Sequence, residues 1–191
     1  MITTFMAGQK IFLRGLTNED CREGYLQFVN DAASLSYVDG IGYHPLSIRD
    51  LEEYIAANSN RNNLLLGIFE CHTNVHVGNI HLGQIKQYHR NCIFGIVMDR
   101  NYQGKGYARE ASCLIIKHAF EVMNMYRIQI PVVDDNHRAV RLYEGLGATL
   151  EGRCRAAFYY SNVYHDVLMY SILKPEYYGR LNNDAVSKRK G

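Results

Sequence analysis

The segment that most constrains this chain begins as an apolar stretch, Cys92 to Met98, and crosses Asp99-Arg100-Asn101-Tyr102-Gln103-Gly104-Lys105-Gly106. It then enters apolar residues at helical spacing: Ala108, Ala111, Ile115, Ala119 and Val122. A strand that passes through two glycines into a helix presents the helix's first backbone N–H groups, and the positive end of its dipole, at one end of a sheet. That is a ready site for phosphate oxygens. Gly104 and Gly106 permit close backbone approach, and Gly106 can take angles that strain a larger residue. The pair taken alone is equally the mark of a tight turn.

Two common phosphate motifs do not fit these letters. A P-loop needs G-x-x-x-x-G-K-[ST], and here Lys105 is followed by Gly106, with no Ser or Thr to hold magnesium. The dinucleotide fingerprint needs a third glycine in a parallel βαβ unit, and Gly106 is followed by Tyr107, Ala108 and Arg109.

Elsewhere, hydrophobic periodicity predicts alternating strands and helices without repeats or low-complexity linkers. A strand at 11–14 precedes a helix over about 17–29, with Thr17, Asn18, Glu19 and Asp20 as N-cap chemistry. After an irregular stretch at 30–47, Ser47 caps a helix over 48–58. Strands at 64–70, 75–85 and 92–98 suit an antiparallel meander, and the helix over about 108–123 follows. A strand at 127–133 contains Pro131, and a helix over 136–146 is stopped by Gly147. Long strands at 149–160 and 163–173 turn at Ser161-Asn162. The fold class is therefore α/β (α+β), a mixed and mostly antiparallel sheet of about seven strands with helices on both faces. One domain over 1–178 is expected, with a solvated basic tail at 179–191 that carries Lys188, Arg189 and Lys190.

Composition narrows the function classes. The 191 residues hold 21 Lys+Arg against 19 Asp+Glu, a net charge of +2, too balanced for a general nucleic-acid or membrane binder. Five scattered cysteines form no C-x-x-C pair, so no metal site is expected and the thiols read as reduced in a cytoplasm. No segment has the charged start and apolar run of an export signal, and none approaches the roughly 18 apolar residues of a membrane span.

Gln103, Gly106 and Ala108 resemble the pyrophosphate loop of the GNAT family of N-acetyltransferases, whose pattern is Gln or Arg, two residues, Gly, one residue, then Gly or Ala. The run from Asn136 to Gly147, with Ala139 and Tyr143, is similar to that family's second signature. The likeness in element order extends from about 11 to 178. The letters Gly104-Lys105-Gly106-Tyr107-Ala108-Arg109-Glu110-Ala111 and His165-Asp166-Val167 look closest to the ribosomal-protein alanine and spermidine acetyltransferase branch.

The resemblance implies acetyl-CoA as co-substrate. Its pyrophosphate would sit on Gln103, Gly104, Lys105, Gly106, Tyr107 and Ala108. Its pantetheine arm would lie against Ile96, Val97 and Met98, where the strand diverges from the one that begins at Arg127. Pro131 is tolerated in such a divergence, although an irregular strand end explains it equally. A backbone N–H near Val97 or Met98 would stabilise the oxygen charge that develops on the thioester. Tyr143 matches the family's general acid, and its helical face, shared with Ala139 and Leu146, also suits a packed core tyrosine. Asn136 would cap its helix and touch the cofactor.

Many relatives carry a Glu on the strand before the loop; the stretch Cys92 to Met98 has no acid. Glu70, His81, His89 and Asp99 are left as bases that spacing does not rank. By the same resemblance the acceptor site falls on the first irregular loop and the last hairpin, with Tyr37, Tyr43 and Tyr160 as substrate contacts and Tyr159 and Tyr164 nearby.

The expected partner is a small-molecule amine, with no nucleic acid or membrane, and the chain is expected to be a monomer or homodimer. Gly78 to Ile85, followed by His89-Arg90, looks like acetyltransferases of amino-sugar pathways, with Lys86 or Arg90 meeting the phosphates of a nucleotide sugar. Solvated charges at a turn are the alternative. Polyamines rank lower because only Asp31 and Asp39 supply negative charge nearby. Acetylation of a protein N-terminus, and an acyl-CoA-binding regulatory domain without turnover, complete the set.

Overall fold

In the computed structural model, which describes residues 3–31, 37 and 44–188, the chain builds one mixed sheet. Its strands are β1 (Met6–Ala7), β2 (Ile11–Arg14), β3 (Ser59–Asn60), β4 (Asn63–Glu70), β5 (His76–Lys86), β6 (Asn91–Met98), β7 (Arg127–Val133), β8 (Thr149–Tyr160) and β9 (Val163–Leu173). The order is β1-β2-β4-β5-β6-β7-β9-β8, with β3 paired to β4. All neighbours are antiparallel except β6 and β7, which run parallel. The seven strands read from periodicity are present. The two added ones, β1 and β3, are two residues long, too short to show alternation.

Two apolar clusters sit on opposite faces of the sheet. On the first face α3 (Tyr107–Glu121) inserts Ala111, Ile115 and Ala119, each fully buried, along one stripe at intervals of four. They meet Ile80, Leu82, Phe94, Ile128 and Ile130 from the central strands. Burying a side chain of the Ile or Phe class contributes roughly 1.5–3 kcal/mol, so this stripe fixes where the N-terminus of α3 lies. On the second face a π-helical turn (Cys21–Tyr25), α1 (Leu26–Val29) and α2 (Ile48–Asn58) pack through Tyr25, Phe28, Leu51 and Ile55 onto Leu65.

The first helix differs from its expected form. A single helix over 17–29 is replaced by the π-helical turn, with Gly24 at φ +92°, and the short α1. The reason is that Asp20 does not cap it. Its carboxylate instead takes two hydrogen bonds from Arg14, at 2.8 and 2.7 Å, and one from the Thr17 N–H at 2.7 Å. Ser47, by contrast, caps α2 in a capping box with Asp50.

Residues 179–188, expected as part of a tail, lie within α5 (Lys174–Lys188). Tyr177 places its ring 5.0 Å from that of Phe120, and Arg180 donates to the carbonyl of Gly145 at 3.1 Å. Among the described residues, no helix is long and apolar enough to cross a membrane.

Candidate active site

The parallel pair at the centre of the sheet is incomplete. Strands β6 and β7 pair only at Asn91 with Arg127, Cys92 with Ile128 and Ile93 with Gln129, although β6 runs to Met98 and β7 to Val133. From Phe94 onward the β7 side of β6 has no ladder partner among the described residues. Pro131, which lacks an N–H, stands beyond the last pair, where no ladder bond to β6 is lost.

Which amides face this split follows from alternation. The Asp99 N–H bonds the Val77 carbonyl at 2.9 Å, so the Val97 and Gly95 amides also point to β5, and those of Phe94, Ile96 and Met98 point into the split. Of Ile96, Val97 and Met98, the first and last therefore offer open N–H groups. The Val97 amide belongs to the β5 ladder.

Beyond Met98 the chain makes a 3-10 turn over Arg100–Tyr102, capped by the Asp99 carboxylate, which accepts from the Asn101 N–H at 2.8 Å. Gln103 folds back, donating from Nε2 to the Met98 carbonyl at 3.2 Å, while its Oε1 accepts from Arg138. Gly104 and Gly106 have φ of +80° and +87°, and Gly106 is the N-cap of α3, whose first amides receive no side-chain cap hydrogen bond among the described residues. A Cβ added at Gly104 would touch nothing. One at Gly106 would come no nearer than 3.7 Å to Lys10 Nζ. These glycines are required by backbone conformation, and the space in front of them is open.

The loop is braced from behind by contacts that sequence reasoning missed. The Tyr107 hydroxyl donates to Glu70 at the end of β4, and that carboxylate pushes the phenol up to about 12. Glu110 accepts the N–H groups of Gln9 and Lys10, the latter at 3.0 Å, which locks the turn between β1 and β2 onto the first turn of α3. Lys10 Nζ then reaches the Lys105 carbonyl at 3.3 Å. Lys105 itself stands over the rings of Tyr102 and Tyr107, at 4.7 and 5.8 Å. Lys10, Lys105 and Arg138 thus place cationic groups around uncapped helix amides. No sequence motif joins Lys10 to the loop, because a two-residue strand brings it there.

Tyr143 lies on α4 (His137–Leu146), whose N-cap Asn136 accepts from the Ala139 N–H at 3.1 Å and whose C-cap Gly147 has φ +86°. Its ring meets Phe94 edge-on at 5.8 Å, the first residue of β6 past the last β7 pair. The side chain is buried. Burial pushes the phenol up to about 12, so it carries its proton throughout the neutral range. Core packing and availability for proton transfer coexist in this residue.

At the same end of the sheet, the Tyr37 hydroxyl donates to Asp135 at 3.4 Å, and its ring centroid is 6.2 Å from that of Tyr160. Asp134 and Asp166 flank this group, both paired with Arg153, at 2.9 and 2.8 Å. Residues from a loop, the β7–α4 turn and the last hairpin thereby converge. Tyr43 lies outside the described residues. Asp135, next to Asn136 in sequence, belongs to this group, and the reading of charge around the first loop passed over it.

The remaining residues raised as bases separate cleanly. Glu70 is engaged with Tyr107 and Thr73, and Asp99 with its cap. His89 lies in the β5–β6 turn against Tyr88, at the opposite end of β6 from the loop. His81 lies mid-strand in β5, directly opposite Gly95.

Residues 10–149 match the family model of the acetyltransferase (GNAT) domain, a span that contains the loop, the split and α4. The chain belongs to the GNAT family. Over 173 residues, 90% of each chain, it is 28% identical to the spermidine N(1)-acetyltransferase of Escherichia coli K12. The Vibrio cholerae spermidine N(1)-acetyltransferase is 33% identical over 104 residues, 54% of this chain and 60% of that one. A crystal structure of the spermidine N-acetyltransferase from Vibrio cholerae in complex with CoA and spermine superposes with a TM-score of 0.80 at 27% identity, covering 89% of this chain and 99% of that one. This GNAT protein is an acetyl-CoA-dependent N-acetyltransferase. The uncapped amides of α3 fit the donor's phosphates, and the unpaired amides of β6 fit an extended amide-bearing arm.

Proposed function

We propose that this GNAT enzyme acetylates a primary amine of a small polycation of the spermidine type, by direct transfer. The observation that carries the acceptor is the meeting of Tyr37, Tyr160 and Asp135 at the end of the split. Two aromatic faces and a carboxylate suit a flexible aliphatic cation. The polyamine activity of relatives matched along nine-tenths of the chain supports the same class.

A nucleotide-linked amino sugar, ranked first from sequence, loses its main support. Lys86 and Arg90 lie at the far end of β6, about 25 Å from the loop at 3.3–3.4 Å per residue. Arg90 is also engaged there, donating to the carbonyl and side chain of Asn124, each at 2.8 Å.

In this reading Gly104 to Ala108 hold the pyrophosphate, and Ile96 and Met98 hold the arm. The Met98 N–H faces the thioester oxygen as charge develops on it. Tyr143 donates its proton to the leaving sulfur, and Asn136 fixes the start of the helix that carries it. Free-thiol release from acetyl-CoA with spermidine, a nucleotide amino sugar and an N-terminal peptide as separate acceptors tests the assignment. Turnover confined to spermidine supports it. Turnover with only the sugar or the peptide replaces it, and none with any amine supports an acyl-CoA-binding regulatory role.

A further inference from the structure

We propose that the imidazole of His81 is the base that takes a proton from the acceptor ammonium, reaching it across a window left by Gly95. This rests on the amine-acceptor reading above, because a base is needed only where the acceptor arrives charged.

The register places the residues. Leu65, His81 and Gly95 lie side by side on β4, β5 and β6. Leu65 belongs to the apolar cluster on the second face, and Phe94, the neighbour of Gly95, belongs to the first. Side chains alternate along a strand, so His81 and the missing side chain of Gly95 share the second face. Directly opposite residues hold their Cβ positions about 4.5–5.5 Å apart. A Cβ built on Gly95 would meet nothing within 4 Å among the described residues, and Gly95 is not among the glycines at positive φ. Glycine here supplies space. That space lies beside His81 at the level where β6 has parted from β7.

The ring is held as a base requires. Its Nε2 is shielded from solvent with no hydrogen-bond partner among the described residues. A buried polar atom left without a partner calls for a role or a ligand. Burial, with no charged neighbour contributing, lowers the imidazole below its ordinary value, so it is neutral at pH 7. Of the titratable groups on that face, Tyr25 and Tyr54 are held protonated and His76 neutral by burial, and the two charged ones, Arg14 and Asp20, are paired with each other. Gly83 sets the ring's position, since a Cβ there would fall 2.3 Å from the His81 ring carbon Cε1. Tyr143 lies in the cluster on the first face and His81 on the second, so acid and base stand on opposite faces of the sheet beside β6.

The protons balance as follows. The ammonium gives one proton to His81, which passes it back out through the opening at Gly95 once the acetylated product has left, and the freed lone pair forms the C–N bond. The C–S bond breaks as Tyr143 protonates the sulfur. A second proton from nitrogen restores the phenol, and the third stays on the amide.

The test compares wild type, His81→Ala, His81→Gln, Gly83→Ala and the Gly83→Ala/His81→Ala double variant in kcat/KM for spermidine across pH, with CoA affinity by calorimetry and melting curves as controls. His81→Ala and His81→Gln should each lose about 100-fold or more at pH 7, at unchanged CoA affinity. The deficit should narrow by up to about tenfold per pH unit as alkaline solution deprotonates the amine unaided, and Gly83→Ala should add nothing to His81→Ala. A deficit under about threefold in the folded His81→Gln variant, or one constant across pH, overturns the proposal. Should wild type ignore spermidine, the acceptor reading fails, and the same series on whichever amine it acetylates still decides the role of His81.

Discussion

Replacing Gly106 by alanine isolates one feature of the cofactor loop, because the change adds a single methyl that meets only Lys10 Nζ at 3.7 Å. Sterics therefore contribute little. The cost comes from φ +87°, where a residue with a Cβ is disfavoured by roughly 1–2 kcal/mol. That cost must surface in one of two places. If the loop keeps its geometry, the strain lowers stability, and the melting temperature falls by about 2–8 °C at 2–4 °C per kcal/mol. If the loop relaxes to negative φ, the amides of α3 no longer converge, and binding must restore them. CoA affinity then falls about 5- to 30-fold, at roughly 1.4 kcal/mol per tenfold. Calorimetric titration with CoA and a scanning melt of the same protein read both channels. Gly152→Ala is the control, since it lies in β8 without positive φ and its added Cβ touches nothing. Wild-type affinity together with a wild-type melt in Gly106→Ala would refute the assignment of this loop to phosphate.

Three other perturbations follow from the same geometry. Tyr143→Phe keeps the ring against Phe94 and should lower kcat by about 100-fold or more while CoA affinity holds, and the wild-type rate should show no alkaline loss from this phenol below about pH 11, because burial pushes it up to about 12. Asp135→Asn removes the carboxylate beside Tyr37 and should raise KM for spermidine about tenfold with little change in CoA affinity, measured by initial rates. Breaking the buried Arg14–Asp20 pair by Arg14→Ala should cost about 3–5 kcal/mol in denaturant unfolding. Burial pushes the Asp20 carboxyl up, but hydrogen bonds from Arg14 and Thr17 outweigh it and leave it below 3.8, so the pair's contribution is present above that value and is lost as pH falls through the lowered one.

The parts of this fold that were legible in the sequence are those where one local rule dominates. The hairpin turn is an example: Ser161 and Asn162 both adopt positive φ, at 51° and 63°, as a tight two-residue connection between twisted strands requires. Gly147 at the end of α4 and the Ser47 capping box are two more. Features that depend on distant partners were not legible. Asp20 reads as a helix cap until Arg14 is placed beside it. The helix over Lys174–Lys188 carries a polar composition, and its docking through Tyr177 and Arg180 depends on where Phe120 and Gly145 stand. In the site, the glycine loop, Asn136 and Tyr143 carry motif signals. Lys10, Glu110 and Asp135 do not, since each reaches the site through tertiary contact. His81 was one of four equal candidates until the register set it opposite Gly95.

The reaction itself offers the most direct measurement. Wild-type enzyme incubated with acetyl-CoA and spermidine, followed by mass spectrometry of the amine alongside free-thiol release, should yield monoacetylated spermidine in equal amount to the thiol. Thiol release without acetylated spermidine, or acetylation of a nucleotide amino sugar or peptide in its place, would contradict it.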